Sequence, residues 1–141
     1  MRLTGGFTMA APMILAFNMP PEKLGRLRLL AARIKARLRV VGPGEYQCKL
    51  ADIVASPALA SQISTPLVES EFDDEMLVMV NLTGAQMNLF LGDFKRFGIP
   101  PVPLKAVLTA INCEWTPVVL HKELCAEREA FAQGFSAHEQ R

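Results

Sequence analysis

The chain has no run of about 18 consecutive apolar residues, the length a membrane-crossing helix needs, so no helical span is expected. Cysteine is scarce. Cys48, Cys113 and Cys125 are too few, and odd in number, for a disulfide scaffold. A net charge of +1 excludes a strongly basic nucleic-acid coat protein and an acidic tail. The signature loops are missing as well. Neither Asn18-Met19-Pro20 nor Asn81-Leu82-Thr83-Gly84 matches a dinucleotide or P-loop pattern, and there is no G-x-S-x-G elbow.

What is present is 141 residues, 50% of them hydrophobic, a composition suited to one domain with its own core. At this length folding removes roughly two-thirds of the unfolded chain's surface from water. The expectation is a compact cytoplasmic protein. Phe7 to Phe17 has the length of a signal-peptide core. It carries only Arg2 ahead of it, is interrupted by Pro12 and lacks a clean cleavage site, so residues 1–12 read as a flexible lead-in.

Two short apolar runs, Met13-Ile14-Leu15-Ala16-Phe17 and Met76-Leu77-Val78-Met79-Val80, suit strands buried on both faces. Each is followed by helix-start chemistry and a 3-4-3 apolar stripe: Leu24, Leu27, Ala31 and Ile34 in the first, Met87, Phe90, Phe94 and Phe97 in the second. Thr83 and Gln86 form a capping box, and Gly98 closes the second helix as its C′ residue. At an offset of 63 residues the two segments share their apolar positions, which supports a repeated βα unit. Further strands are predicted at Leu38–Val41 and Val102–Leu108. Further helices are predicted at Tyr46–Val54 and from Thr116-Pro117 to about Ala132.

The resulting order is a first β-α-β-α half over 13–55, a connector over 56–75, a second half over 76–134 and a tail over 135–141. That alternation predicts an α/β domain around one small, mostly parallel four-stranded sheet. A ferredoxin-like α+β arrangement is the competing architecture.

Charge is unevenly spread. Residues 1–65 hold nine Lys/Arg against three Asp/Glu, and residues 66–141 hold six against eleven. Lys23, Arg26, Arg28, Arg33, Lys35, Arg37 and Arg39 form a basic segment, answered in sign by Glu69, Glu71, Asp73, Asp74 and Glu75. Nucleic-acid binding through 23–39 is a reading this admits, but no aromatic residues interleave with the cluster to stack bases. Flanking an apolar stripe with solvated basic heads explains it equally.

His121 and Cys125 are four apart on the last helix, and Cys113 precedes it. The set is incomplete for zinc, and a Cys113–His121 nucleophile lacks an orienting third group, so no metal and no cofactor is expected. Lys105 is a single charge inside an apolar strand, so it must snorkel, pair or meet an anion. Beyond it the chain runs through Thr109, Asn112 and Trp115 to the N-terminus of the last helix at Thr116, a place where α/β sheets hold ligands and helix ends favour anions. Lys105, Thr109, Asn112, Trp115 and Thr116 are therefore the candidate ligand-binding residues. Glu127 falls in the stripe of Leu120, Leu124 and Phe131, which fits a subunit contact or a helix end leaving the core.

Met76-Leu77-Val78, Gly98-Ile99-Pro100, Leu104-Lys105-Ala106-Val107-Leu108-Thr109, Asn112 and Trp115-Thr116, followed by Leu120 and Glu123-Leu124, together resemble a bacterial domain-of-unknown-function family, number 3783, over residues 75–129. The resemblance supports a domain boundary and singles out the Lys105 segment, but it implies no reaction.

The leading expectation is a small cytoplasmic binding or regulatory module, self-associating and without catalysis, whose partner is a small anionic ligand. The alternatives are an enzyme acting on an anionic small molecule at the Lys105–Thr116 corner, with Glu114 or His121 as acid or base, and nucleic-acid binding through the basic segment.

Overall fold

The computed structural model describes residues 11–55 and 72–139. In chain order these form β1 (Met13–Phe17), α1 (Pro21–Arg33), β2 (Arg37–Val41), a 3-10 turn (Pro43–Glu45), α2 (Leu50–Ala55), β3 (Met76–Val80), α3 (Gly84–Arg96), β4 (Leu104–Val107), a second 3-10 turn (Asn112–Glu114) and α4 (Pro117–Glu139). The strands make one sheet of order β2-β1-β3-β4. β1/β2 and β3/β4 are parallel, and β1/β3 is antiparallel. This is the mostly parallel four-stranded α/β fold that alternating strands and helices predict. Each β-α-β unit keeps its two strands adjacent, so the interleaved sheet of the ferredoxin-like alternative is not formed.

The described residues group into two compact units. One holds 11–42 and 73–109, and therefore the whole sheet with α1 and α3. The other holds 43–55, 72 and 110–139. The apolar spacing resolves in the first unit as a single cluster. Ile14, Ala16, Leu77 and Met79 point from the central strands toward Leu27, Leu30 and Ala31 of α1 and Phe90 and Phe94 of α3. Phe90 and Phe94 meet edge to face at 5.4 Å. The alternate residues Met13, Leu15, Phe17, Met76, Val78 and Val80 are buried too, so β1 and β3 are covered along both faces, as their unbroken apolar runs require.

The 63-residue offset is a structural repeat. α1 and α3 superpose residue for residue in their bounds, 21–33 on 84–96. Asn18 and Asn81 both turn the chain out of a central strand in the left-handed region, at φ 60° and 58°. Both helices end in a Schellman motif. In the first, Ala36 N–H donates to Ala31 O and Lys35 N–H to Ala32 O; in the second, Ile99 N–H donates to Phe94 O and Gly98 N–H to Lys95 O. The C′ positions are Lys35 at φ 59° and Gly98 at φ 67°. In the antiparallel centre Leu15 pairs with Val78, its own repeat equivalent, so a local two-fold axis passes between them.

The repeat breaks after the helices. In β1/β2 the first register pair is Met13 with Arg37, 24 positions apart; in β3/β4 it is Met76 with Leu104, 28 apart. The second connection is four residues longer, and it carries Pro100, Pro101 and Pro103. Those prolines also move the strand start from the predicted Val102 to Leu104, because a proline has no N–H for the ladder.

Three other boundaries differ from expectation. β2 begins at Arg37, whose N–H bonds Pro12 O. The predicted Tyr46–Val54 helix starts only at Leu50, because tight turns hold the preceding residues, with Tyr46 N–H on Pro43 O and Cys48 N–H on Glu45 O. The last helix passes Ala132 and continues through Gly134 to Glu139, since one helical glycine costs only about 1 kcal/mol. The expected lead-in lies outside the described residues except for 11–12, and the expected connector except for 72–75.

Candidate functional site

The tertiary fold divides the basic segment. Lys23 is buried and donates to Glu75 Oε1 at 2.5 Å and to Pro101 O at 3.3 Å, so one member of the acidic stretch answers it within the chain. Arg33 Nε donates to Asp93 Oδ2 at 2.8 Å; Asp93 is 2% exposed and Arg33 42%. Arg39 is buried on β2. Arg26, Arg28, Lys35 and Arg37 remain exposed, and Arg26 makes no ion pair among the described residues.

Arg26 lies on the wall of a groove of about 630 Å³ between α1 and the start of the longer connection. Leu29, Leu30, Ala32, Arg33, Phe97 and Ile99 complete its lining. Its α1 residues Arg26, Leu29, Leu30 and Arg33 recur at 3-4 spacing, which places them along one side of the helix. Leu29 is 68% exposed and Phe97 46%, unusual for large apolar side chains that line one groove. The Phe97 ring has the Arg33 guanidinium 5.4 Å and the Arg96 guanidinium 5.5 Å from its centroid. Arg26 and Ile99 are shared with a second hollow of about 360 Å³, which continues over Pro20, Glu22, Lys23, Glu75 and Pro100.

The repeat shows that this groove belongs to one half only. At the equivalent positions Arg26 becomes Leu89, Leu29 becomes Gly92, Leu30 becomes Asp93 and Phe97 becomes Ile34. The backbone is duplicated while the lining chemistry is not.

Sequence reasoning missed this site for a definite reason. It found no aromatic within 23–39, whereas Phe97 reaches the cluster from a position 64 residues beyond Arg33. One signal was available: Asp93 aligns with the apolar Leu30 at the 63-residue offset, which flags a polar residue at a core position.

The residues singled out around Lys105 fall in both units. In the first unit, Lys105 is exposed on β4 and its ammonium donates to Val102 O at 2.8 Å, so it snorkels to a backbone carbonyl. It borders a hollow of about 110 Å³ with Leu91, Phe94, Pro101 and Val102. Thr109 is exposed just beyond that strand.

In the second unit, Asn112 opens the 3-10 turn and its carbonyl accepts from Trp115 N–H at 2.9 Å. Trp115 is half-buried, and its own carbonyl accepts from Leu50 N–H at 2.8 Å. Thr116 Oγ1 accepts from Val119 N–H at 3.3 Å, the N-cap bond expected before a proline at the first helical position. Glu114 accepts from the exposed Lys49 at 3.0 Å, and its carboxylate raises the Lys49 pKa by that hydrogen bond and by its charge. Glu127 is exposed on α4, as is Phe131.

Residues 75–131 match the family described as Domain of unknown function (DUF3783), in agreement with the resemblance read from the Lys105 and Trp115 segments. The match takes in Phe97, the three prolines and Asp93 but not α1, which supplies Arg26 and Leu29. No curated protein and no solved structure matches the chain. No helix among the described residues is long and apolar enough to cross a membrane.

Proposed function

We propose that this chain is a binding module for a small amphipathic anion, an apolar body bearing one carboxylate or phosphate, and that the ligand lies in the groove between α1 and Phe97–Ile99. One observation carries this reading: Arg26, without an ion pair among the described residues, stands at the edge of a lining otherwise made mostly of Leu29, Leu30, Phe97 and Ile99. Apolar walls supply affinity and a small number of polar groups set orientation, in a volume typical of small-molecule sites. Arg33 contributes less to the ligand, because Asp93 already holds its Nε. The hollow beside Lys105 is a poorer seat, with space for roughly four water molecules at about 30 Å³ each.

Calorimetric titration with octanoate, octanol and acetate tests the reading. Octanoate is expected to bind at least about tenfold more tightly than either analogue, a difference of about 1.4 kcal/mol. Arg26→Glu is expected to abolish that preference. Equal binding of octanol and octanoate, or an unchanged octanoate affinity in Arg26→Glu, refutes it. So does salt-sensitive retention of duplex DNA by a chain that ignores octanoate, which would return the basic surface to nucleic acid.

A further inference from the structure

The second unit holds a thiol and an imidazole in contact. Cys125 Sγ lies 3.5 Å from His121 Nε2, one helical turn apart on α4. The thiol beside the histidine is thus Cys125. Cys113, the nucleophile weighed on sequence grounds, donates instead to Ala110 O at 3.3 Å and has the Glu114 carboxylate 4.0 Å away.

The imidazole is also oriented. Its ring stacks on Phe72 at 4.2 Å and 13°, and Phe72 stacks on Tyr46 at 4.8 Å and 12°. Tyr46 and Phe72 are buried, while His121 and Cys125 are half-buried, so one face of the imidazole is held against Phe72 and the sulfur stays within reach of a small molecule. Nucleophile, base and orienting group are the three parts an activated thiol requires.

From this geometry, and independently of the groove, we infer that Cys125 is a thiol-exchange site that takes up low-molecular-weight disulfides of the glutathione type as a mixed disulfide. Exchange at sulfur proceeds in line and builds no tetrahedral oxyanion, so a thiol and a base suffice where acyl transfer would also need oxyanion donors. In the step, the Cys125 S–H bond gives its proton to His121 Nε2 and the sulfur attacks one sulfur of the disulfide. The new S–S bond forms as the old one breaks. The departing thiolate takes the proton back from His121 and leaves as a free thiol. Cys125 is oxidised to the mixed disulfide and the departing half of the reagent is reduced.

The test treats the full chain with oxidised glutathione and follows each cysteine by peptide mass. Cys125 is expected to react first, about tenfold faster than Cys113, whose thiol donates to a backbone carbonyl and not to an imidazole. His121→Gln is expected to slow Cys125 by about tenfold and leave Cys113 unchanged. Dithiothreitol should return the adduct to the free thiol. Faster reaction at Cys113 or Cys48 in the natural chain overturns the assignment, as does an unchanged Cys125 rate in a folded His121→Gln chain. If that variant unfolds, seen as faster labelling at all three cysteines, the order in the natural chain decides alone.

Discussion

Replacing Arg33 by Met would leave the Asp93 carboxylate, 2% exposed, without the guanidinium that now lies 2.8 Å away. Removing one partner of a fully buried ion pair costs about 3–5 kcal/mol. Here the Arg33 side chain is 42% exposed, so water partly replaces it, and about 2–3 kcal/mol is expected. For a chain of this size that corresponds to a melting temperature lower by roughly 6–12 °C.

The repeat supplies the compensating change. Asp93 occupies the position of Leu30, so Asp93→Leu restores the residue the first half carries in the same helical setting. The double variant Arg33→Met/Asp93→Leu is expected within about 1 kcal/mol of the natural chain, since an apolar pair of similar volume replaces a buried ionic one at little cost. Loss of the Arg33–Phe97 contact, worth about 0.5–1 kcal/mol, is common to the single and double variants and cancels in a double-mutant cycle. Urea denaturation followed by circular dichroism measures all four corners. The reasoning fails if Arg33→Met costs less than about 0.5 kcal/mol, or if the double variant is no more stable than the single one.

Two other outcomes follow from the geometry. Lys35 and Gly98 occupy equivalent left-handed C′ positions, so Lys35→Gly should stabilise by about 0.5–1 kcal/mol and Gly98→Ala should destabilise by about 1–2 kcal/mol. An added Cβ at Gly98 meets nothing within 4 Å, leaving only backbone strain, and denaturant midpoints report both changes. The Lys49 pKa is raised above 10.5 by Glu114, so that contact's contribution is fully present below 10.5 and is lost as pH climbs through the folded value. Glu114→Gln should therefore flatten this part of the alkaline fall in melting temperature; an identical profile for both chains would show that the pair does not contribute.

Much of the fold was legible because it is encoded locally. Unbroken apolar runs defined β1 and β3 to the residue, 3-4-3 stripes defined α1 and α3, and Thr83, Gln86 and Gly98 marked the ends of α3 through backbone groups that need partners nearby in sequence. The 63-residue offset likewise announced the repeat, since both halves must present the same faces to one sheet.

Periodicity carries no information about which distant residues meet, and that was left to packing. The antiparallel β1/β3 centre, the pairing of Lys23 with Glu75 and Arg33 with Asp93, and the arrival of Phe97 beside the arginines of α1 all join residues 52 or more positions apart. The four additional residues between α3 and β4 had no local signature beyond their prolines, yet that connection borders both hollows beside Arg26. Side-chain chemistry along the chain determined the elements; steric fit and burial of charge between the elements decided which side chains line the groove beside Arg26.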